Sequence, residues 1–235
     1  MRGRSILGGG RTSPANLVTM TYAVKEIYYT LQGEGANSGR AAVFLRFSGC
    51  NLWTGLEKDR QKGPGGCSMW CDTDFVGTDG PGGGKYRTSL DLANTVSTYW
   101  PSLMDSAVRP LVVCTGGEPL LQLDAELVRL LSERGFEIAV ETNGTIAPPS
   151  GPLWITVSPK RNSTLKATKG KELKLVFPQP GINPSDFEHL DFEYFFLQPM
   201  DSACRPENTK LAIEYCLKNP KWRVSVQTHK LLGIP

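Results

Sequence analysis

Apolar and polar positions divide the chain into short β-prone runs and stretches of helical period. Residues 41–48 (AAVFLRFS) form an apolar run that ends just before Cys50. Shorter runs of strand length recur at 110–114 (PLVVC), 137–141, 154–157, 172–177, 193–197 and 222–227. Leu120, Leu121, Leu123, Leu127, Leu130 and Leu131 repeat with a helical period, which predicts a helix over 120–134 closed by Gly135. Thr88 or Ser89 caps another helix to about Tyr99, and Pro206 suits the first turn of a third reaching about Lys218. Residues 51–66 are polar, charged and glycine-rich, hence an exposed loop, and 77–85 (GTDGPGGGK) predict a mobile loop.

Strands separated by helices imply right-handed parallel crossovers. The pattern predicts one α/β domain over residues 20–235, an incomplete (β/α)6-type barrel rather than the full eight strands. The polar residues then gather at strand ends: Cys50 after the first, Gly116-Gly117-Glu118-Pro119 after the second, Glu141 after the third, Ser158 after the fourth and Gln198 after a later one. In parallel α/β folds that is the ligand-binding face. No internal repeat or domain linker interrupts the pattern.

The net charge of +3 sits entirely in residues 1–19, through Arg2, Arg4 and Arg11, and the rest of the chain is neutral. A neutral body argues against a nucleic-acid partner, which needs a clustered basic face. No apolar run approaches the roughly 18–20 residues of a membrane span. Residues 1–19 lack the apolar core of a signal peptide and are rich in Gly, Ser and Pro, so they read as a disordered extension, with Met20 as an alternative start.

Six cysteines in a chain of this length do not form a secreted disulfide scaffold. Cys114, Cys204 and Cys216 read as small buried or half-buried residues. Cys50, Cys67 and Cys71 share one loop, with gaps of sixteen and three residues, and suggest a metal site. A closed zinc site or a four-iron cluster wants four ligands. Three thiolates leave one position for something that is not protein, as a catalytic site does. A metal-stabilised binding module without catalysis predicts a fourth protein ligand, and no fourth cysteine lies in that loop.

The trio, with Trp70 before its last member and TGGEP at 115–119, resembles the radical S-adenosylmethionine enzymes. LQGEG at 31–35, FLRFSGCNL at 44–52, WCDTDF at 70–75, TGGEPLLQ at 115–122 and ETNGT at 141–145 together look like 7-carboxy-7-deazaguanine synthase, over nearly the whole chain from Met20. LQGEG and CDTDF argue against another radical enzyme, such as a glycyl-radical activating enzyme.

The resemblance implies a 4Fe-4S cluster on Cys50, Cys67 and Cys71, with S-adenosylmethionine chelating the open iron and the cofactor pair supplying the radical. No side chain is catalytic in its own right. The resemblance assigns S-adenosylmethionine to Trp70, Asp72, Gly117, Glu118, Glu141, Ser158, Lys160, Gln198 and Asp201. Glycines allow close backbone approach, and a carboxylate or carbonyl at Glu118 can accept from the methionine ammonium. The implied substrate is 6-carboxy-5,6,7,8-tetrahydropterin, contacted by Leu31, Gln32, Gly33, Glu34, Arg46, Thr115 and the carboxylate of Pro235. Hydrogen abstraction at its C6, ring contraction and loss of ammonia would give 7-carboxy-7-deazaguanine, in the queuosine and 7-deazapurine pathway. Thr73 is the implied Mg²⁺ ligand beside the substrate carboxylate, with Asp72 and Asp74 as nearby oxygens. A homodimer, a flavodoxin- or ferredoxin-type reductant and a reducing cytoplasm complete the implied setting.

Two features depart from the usual radical spacing of three residues then two. The first gap of sixteen fits an enlarged-loop subset of the family. The second gap, Cys67 to Cys71, is three and puts the path through Trp70 in doubt. His229 lies near the chain end as a further polar group, with a merely structural role as the alternative.

Overall fold

A computed structural model describes residues 21–63, 66–101 and 108–235. The expected extension over 1–19 and the alternative start at Met20 lie outside them. Among the described residues nine strands form one sheet: β1 (Tyr22–Leu31), β2 (Ala41–Phe47), β3 (Gly84–Tyr86), β4 (Leu111–Gly116), β5 (Glu137–Thr142), β6 (Leu153–Val157), β7 (Lys169–Phe177), β8 (Asp191–Pro199) and β9 (Trp222–Val224). The order is β3-β1-β2-β4-β5-β6-β7-β8-β9. From β2 to β9 every neighbouring pair is parallel, while β1 runs antiparallel to both β2 and β3. The sheet is open, as the incomplete barrel required, with seven parallel strands extended by an antiparallel edge pair.

Period-two alternation sorts each strand between two environments. Val43, Leu45 and Phe47 of β2, Val112 and Cys114 of β4, Ile138 and Val140 of β5, and Leu173 and Leu175 of β7 face the main core. On that side lie α1 (Ser89–Thr98), α2 (Ala125–Glu133) and α3 (Arg205–Lys218), which contribute Leu92, Val96, Leu127, Leu131 and Ala212. The opposite faces carry Phe44 and Arg46, Thr115, Glu141, and Lys174 and Val176, which line a cavity. A one-residue slip of β2, β5 or β7 would turn Arg46, Glu141 or Lys174 into the core, so the register of these strands is strongly specified.

Several expectations need correction. The helix predicted over 120–134 begins at Ala125. The Glu118 side chain accepts from Leu120 N and starts a 3-10 turn over Pro119–Leu121, and Asp124 then caps α2 by accepting from Leu127 N at 2.8 Å. The other Asp124 oxygen accepts from the Tyr22 hydroxyl at 2.6 Å, tying the cap to β1. The 77–85 loop is pinned: Ile27 N donates to Pro81 O and Gly80 N to Lys25 O, and the segment runs into β3. The last strand stops at Val224 rather than residue 227. The connections from β5 to β6 and from β6 to β7 contain no helix, so the helical layer is thinner than strict alternation implied. Cys204 is exposed, because it stands at the N-cap of α3. No helix among the described residues is long and apolar enough to cross a membrane.

Candidate active site

The ends of the parallel strands and the loops after β1 and β2 enclose a cavity of about 360 Å³. Cys50, Cys67 and Cys71 all line it, and all three thiols are free. Cys71 N donates to Cys67 O at 2.8 Å and Trp70 N to the same oxygen at 3.0 Å. The three-residue gap therefore makes one helical turn, and residues four apart on such a turn share a face. Trp70 also reaches the cavity, with Lys160 Nζ 5.5 Å from its ring centroid. Burial pushes the thiols of Cys50 and Cys67 above their ordinary range, and Lys160 opposes this at Cys67.

Three free thiols on one wall, near a lysine that favours thiolate, suit a cluster held by cysteine. Among the described residues no three His, Cys, Asp or Glu side chains stand in a ready-made metal arrangement. Thr73 lines the cavity, but its neighbours are engaged: Asp72 pairs with Lys230 at 2.5 Å and Asp74 with Lys25 at 2.9 Å.

The turn after β4 lies against the cysteine loop. A Cβ on Gly117 would sit 2.3 Å from Gly49 O and 2.6 Å from Cys50 Cβ, so only glycine fits. Glu118 N donates to Gly49 O at 3.0 Å. The Glu118 side chain points away from the cavity and is fully buried. It accepts from Leu120 N at 3.0 Å, Thr142 Oγ1 at 2.7 Å and Asn143 N at 2.8 Å. Its carboxylate thus fastens the β4 turn to the β5 loop, and the main chain of this turn, not the Glu118 carboxylate, faces the ligand space.

The other residues assigned by resemblance separate into walls and supports. Leu31, Gln32, Glu34, Arg46, Asp72, Thr115, Glu141, Ser158, Lys160, Gln198 and Pro235 line the cavity. Lys160 Nζ donates to Ser158 Oγ at 2.7 Å. Gly33 stands behind the wall, its carbonyl accepting from Thr228 N at 2.9 Å. Asp201 lies outside the wall and pairs at 2.6 Å with Lys230, which lines it. His229 also lines it, from α4 (Thr228–Leu232), and burial lowers its pKa. The chain end returns to β1, where Thr30 Oγ1 donates to Pro235 O at 3.0 Å.

Sequence reasoning missed several wall residues. Glu26 and Tyr28 of β1 hold Arg46: Arg46 Nε donates to Glu26 Oε1 at 2.7 Å and Nη2 to the Tyr28 hydroxyl at 2.9 Å. Lys174 pairs with Glu34 at 2.5 Å and Glu141 at 2.7 Å. Its signal was a lone charge between apolar residues in the KLVF stretch of a predicted buried strand. Gln227 and Lys230 carried no such signal, because their position depends on how the last helix folds back.

No protein-family model matches the chain. It is 59% identical over 216 residues to the 7-carboxy-7-deazaguanine synthase of Caulobacter vibrioides, with 92% of this chain and 100% of that protein covered. The enzyme of the same name from Bradyrhizobium diazoefficiens is 59% identical over 215 residues, with the same coverage. That of Synechocystis is 31% identical over 231 residues, covering 94% of this chain and 97% of the relative. The crystal structure of QueE from Escherichia coli superimposes with a TM-score of 0.65 at 27% identity, covering 93% of this chain and all of that one. Identity at this level along nearly the full length, joined to a shared open parallel sheet, places the chain in the 7-carboxy-7-deazaguanine synthase family.

Proposed function

We propose that the protein converts 6-carboxy-5,6,7,8-tetrahydropterin to 7-carboxy-7-deazaguanine with loss of ammonia, in queuosine and 7-deazapurine biosynthesis. The observation that carries this reading is the convergence of three free cysteines and the polar residues of LQGEG, Arg46 and Thr115 on one cavity. Cys50, Cys67 and Cys71 would hold a 4Fe-4S cluster, which with S-adenosylmethionine supplies the radical chemistry. Trp70, Ser158, Lys160, Glu141 and Gln198 form the S-adenosylmethionine side of the wall, with the main chain at Gly117 and Glu118 beside Cys50. Asp72 and Asp201 steady that side through Lys230.

Arg46 binds the substrate carboxylate. Glu26 and Tyr28 engage its Nε and Nη2, which aims the guanidinium while Nη1 remains for the ligand. Gln32 and Glu34 take the pterin edge, with Leu31 and Thr115 as neighbouring wall. The Pro235 carboxylate closes the site from the C-terminal side, and Gly33 seats that segment. Mg²⁺ would use the Thr73 hydroxyl together with substrate and water oxygens, since Mg²⁺ takes few protein ligands. Residues 20–235 act as one catalytic domain. A homodimer, a flavodoxin- or ferredoxin-type reductant and a cytoplasmic setting complete the proposal.

Anaerobic purification and reconstitution test it. Iron with labile sulfide, and a deazaguanine product from the carboxy-tetrahydropterin, are the expected results. Stoichiometric zinc, or no product from the reduced, reconstituted protein, would overturn it.

A further inference from the structure

Lys174 sits at the middle of β7 with 4% of its surface exposed. Its ammonium lies 2.5 Å from Glu34 Oε2 and 2.7 Å from Glu141 Oε2. The two carboxylates reach it from different parts of the chain, the loop after β1 and the end of β5. Their remaining oxygens accept from amides. Gln198 Nε2 and Gln227 Nε2 each donate to Glu34 Oε1 at 3.1 Å, and Gln32 Nε2 donates to Glu141 Oε1 at 3.2 Å.

Two carboxylates that share one buried site disfavour each other's charge, and a cation in contact with both offsets this. Burial alone would raise the Glu34 carboxyl and lower the Lys174 ammonium. Attraction reverses both directions: Lys174 holds Glu34 below its ordinary value, and Glu141 together with Glu34 holds Lys174 above its own. The other charged groups facing this cluster are Glu172, two residues earlier on β7, His229 from α4, and Lys160 from the segment after β6.

We propose that Lys174 is a positioning residue that keeps Glu34 and Glu141 together as anionic, acceptor-only groups, so that the site takes a heterocycle edge bearing adjacent N–H donors. The inference rests on the pterin reading above, because an aminopyrimidinone edge presents such donors. An ionised carboxylate only accepts, whereas a protonated one offers an O–H that would oppose them. Lys174 thereby joins a residue assigned to substrate with one assigned to S-adenosylmethionine.

The test measures binding of 6-carboxypterin to the anaerobic holoenzyme by pterin fluorescence from pH 6 to 9. For K174M the expected affinity at pH 8 is at least tenfold weaker than wild type. The ratio of the two affinities should change with pH, because the carboxylate pair now shares a proton. E141Q/K174M leaves Glu34 as a lone buried carboxylate, so its ratio should change with pH less than that of K174M, because no second carboxylate is there to share the proton. A K174M ratio that is flat, or within twofold of unity throughout, overturns the inference, as does a pH dependence in the double variant as large as that of K174M. If K174M does not fold, K174R and E141Q replace it. Both leave every remaining carboxylate beside a cation, so a flat ratio supports the inference and a new ionisation in either overturns it. Wild-type turnover separates the two levels. A wild type that neither binds 6-carboxypterin nor forms product ends the pterin reading and the inference with it, whereas an active wild type with a flat K174M ratio ends the inference alone.

Discussion

Replacing Glu118 by alanine removes a buried carboxylate that accepts three hydrogen bonds, from Leu120 N, Thr142 Oγ1 and Asn143 N. Each buried donor left without a partner costs about 1–3 kcal/mol. Three such losses set an upper bound near 9 kcal/mol. Removing the carboxylate also leaves polar space in which water could bridge the donors, which brings the expected cost down to about 3–5 kcal/mol. For a chain of this length 1 kcal/mol corresponds to about 2–4 °C in melting temperature, so E118A should melt about 10 °C lower. E118Q is milder. It keeps one acceptor oxygen but turns an N–H donor toward another donor, at about 2 kcal/mol. Thermal unfolding followed by circular dichroism on the metal-free protein reads both, away from any cofactor. An E118A protein melting within 2 °C of wild type would refute the reasoning and return the Glu118 carboxylate to the cavity as a direct ligand contact.

Two further outcomes follow from the same geometry. G117A forces a methyl group against Gly49 O and Cys50 Cβ, an overpacking cost of about 1–3 kcal/mol that must part the β4 turn from the cysteine loop. Iron per chain after reconstitution should fall together with melting temperature, and wild-type values for both would contradict the contact. Burial raises the Glu172 carboxyl, with Glu141 adding to the effect. The native state then holds its proton more tightly than the unfolded chain does. Stability is therefore lost as pH rises from the unfolded value of about 4.3 through the raised folded value. E172Q removes that loss and keeps an oxygen to accept from Trp154 Nε1, which lies 2.6 Å away. Its melting temperature relative to wild type should be more favourable at pH 8 than at pH 5, and an equal difference at both would contradict it.

The strands β2, β4, β5, β7 and β8 were legible because strands buried on both faces are written as short runs of consecutive apolar residues. The grouping of Cys50, Cys67 and Cys71 was legible too, since they fall within one loop. The edge pair β1 and β3 was not. β1 carries Lys25, Glu26 and Tyr28, whose polar groups mask the strand pattern and find their reasons in Asp79, Arg46 and the cavity. The start of α2 was misplaced because Leu120, Leu121 and Leu123 extend its apolar spacing, and Asp124 looks like an ordinary helix residue until its donor is known. The sequence by itself determined which residues stand at the strand ends, because apolar runs and turn chemistry are local. Only the tertiary structure decided that the Glu118 carboxylate turns inward while Lys174 turns to the cavity. A carboxylate or an ammonium can be buried only where partners from distant strands meet it, and one strand's sequence does not name those partners.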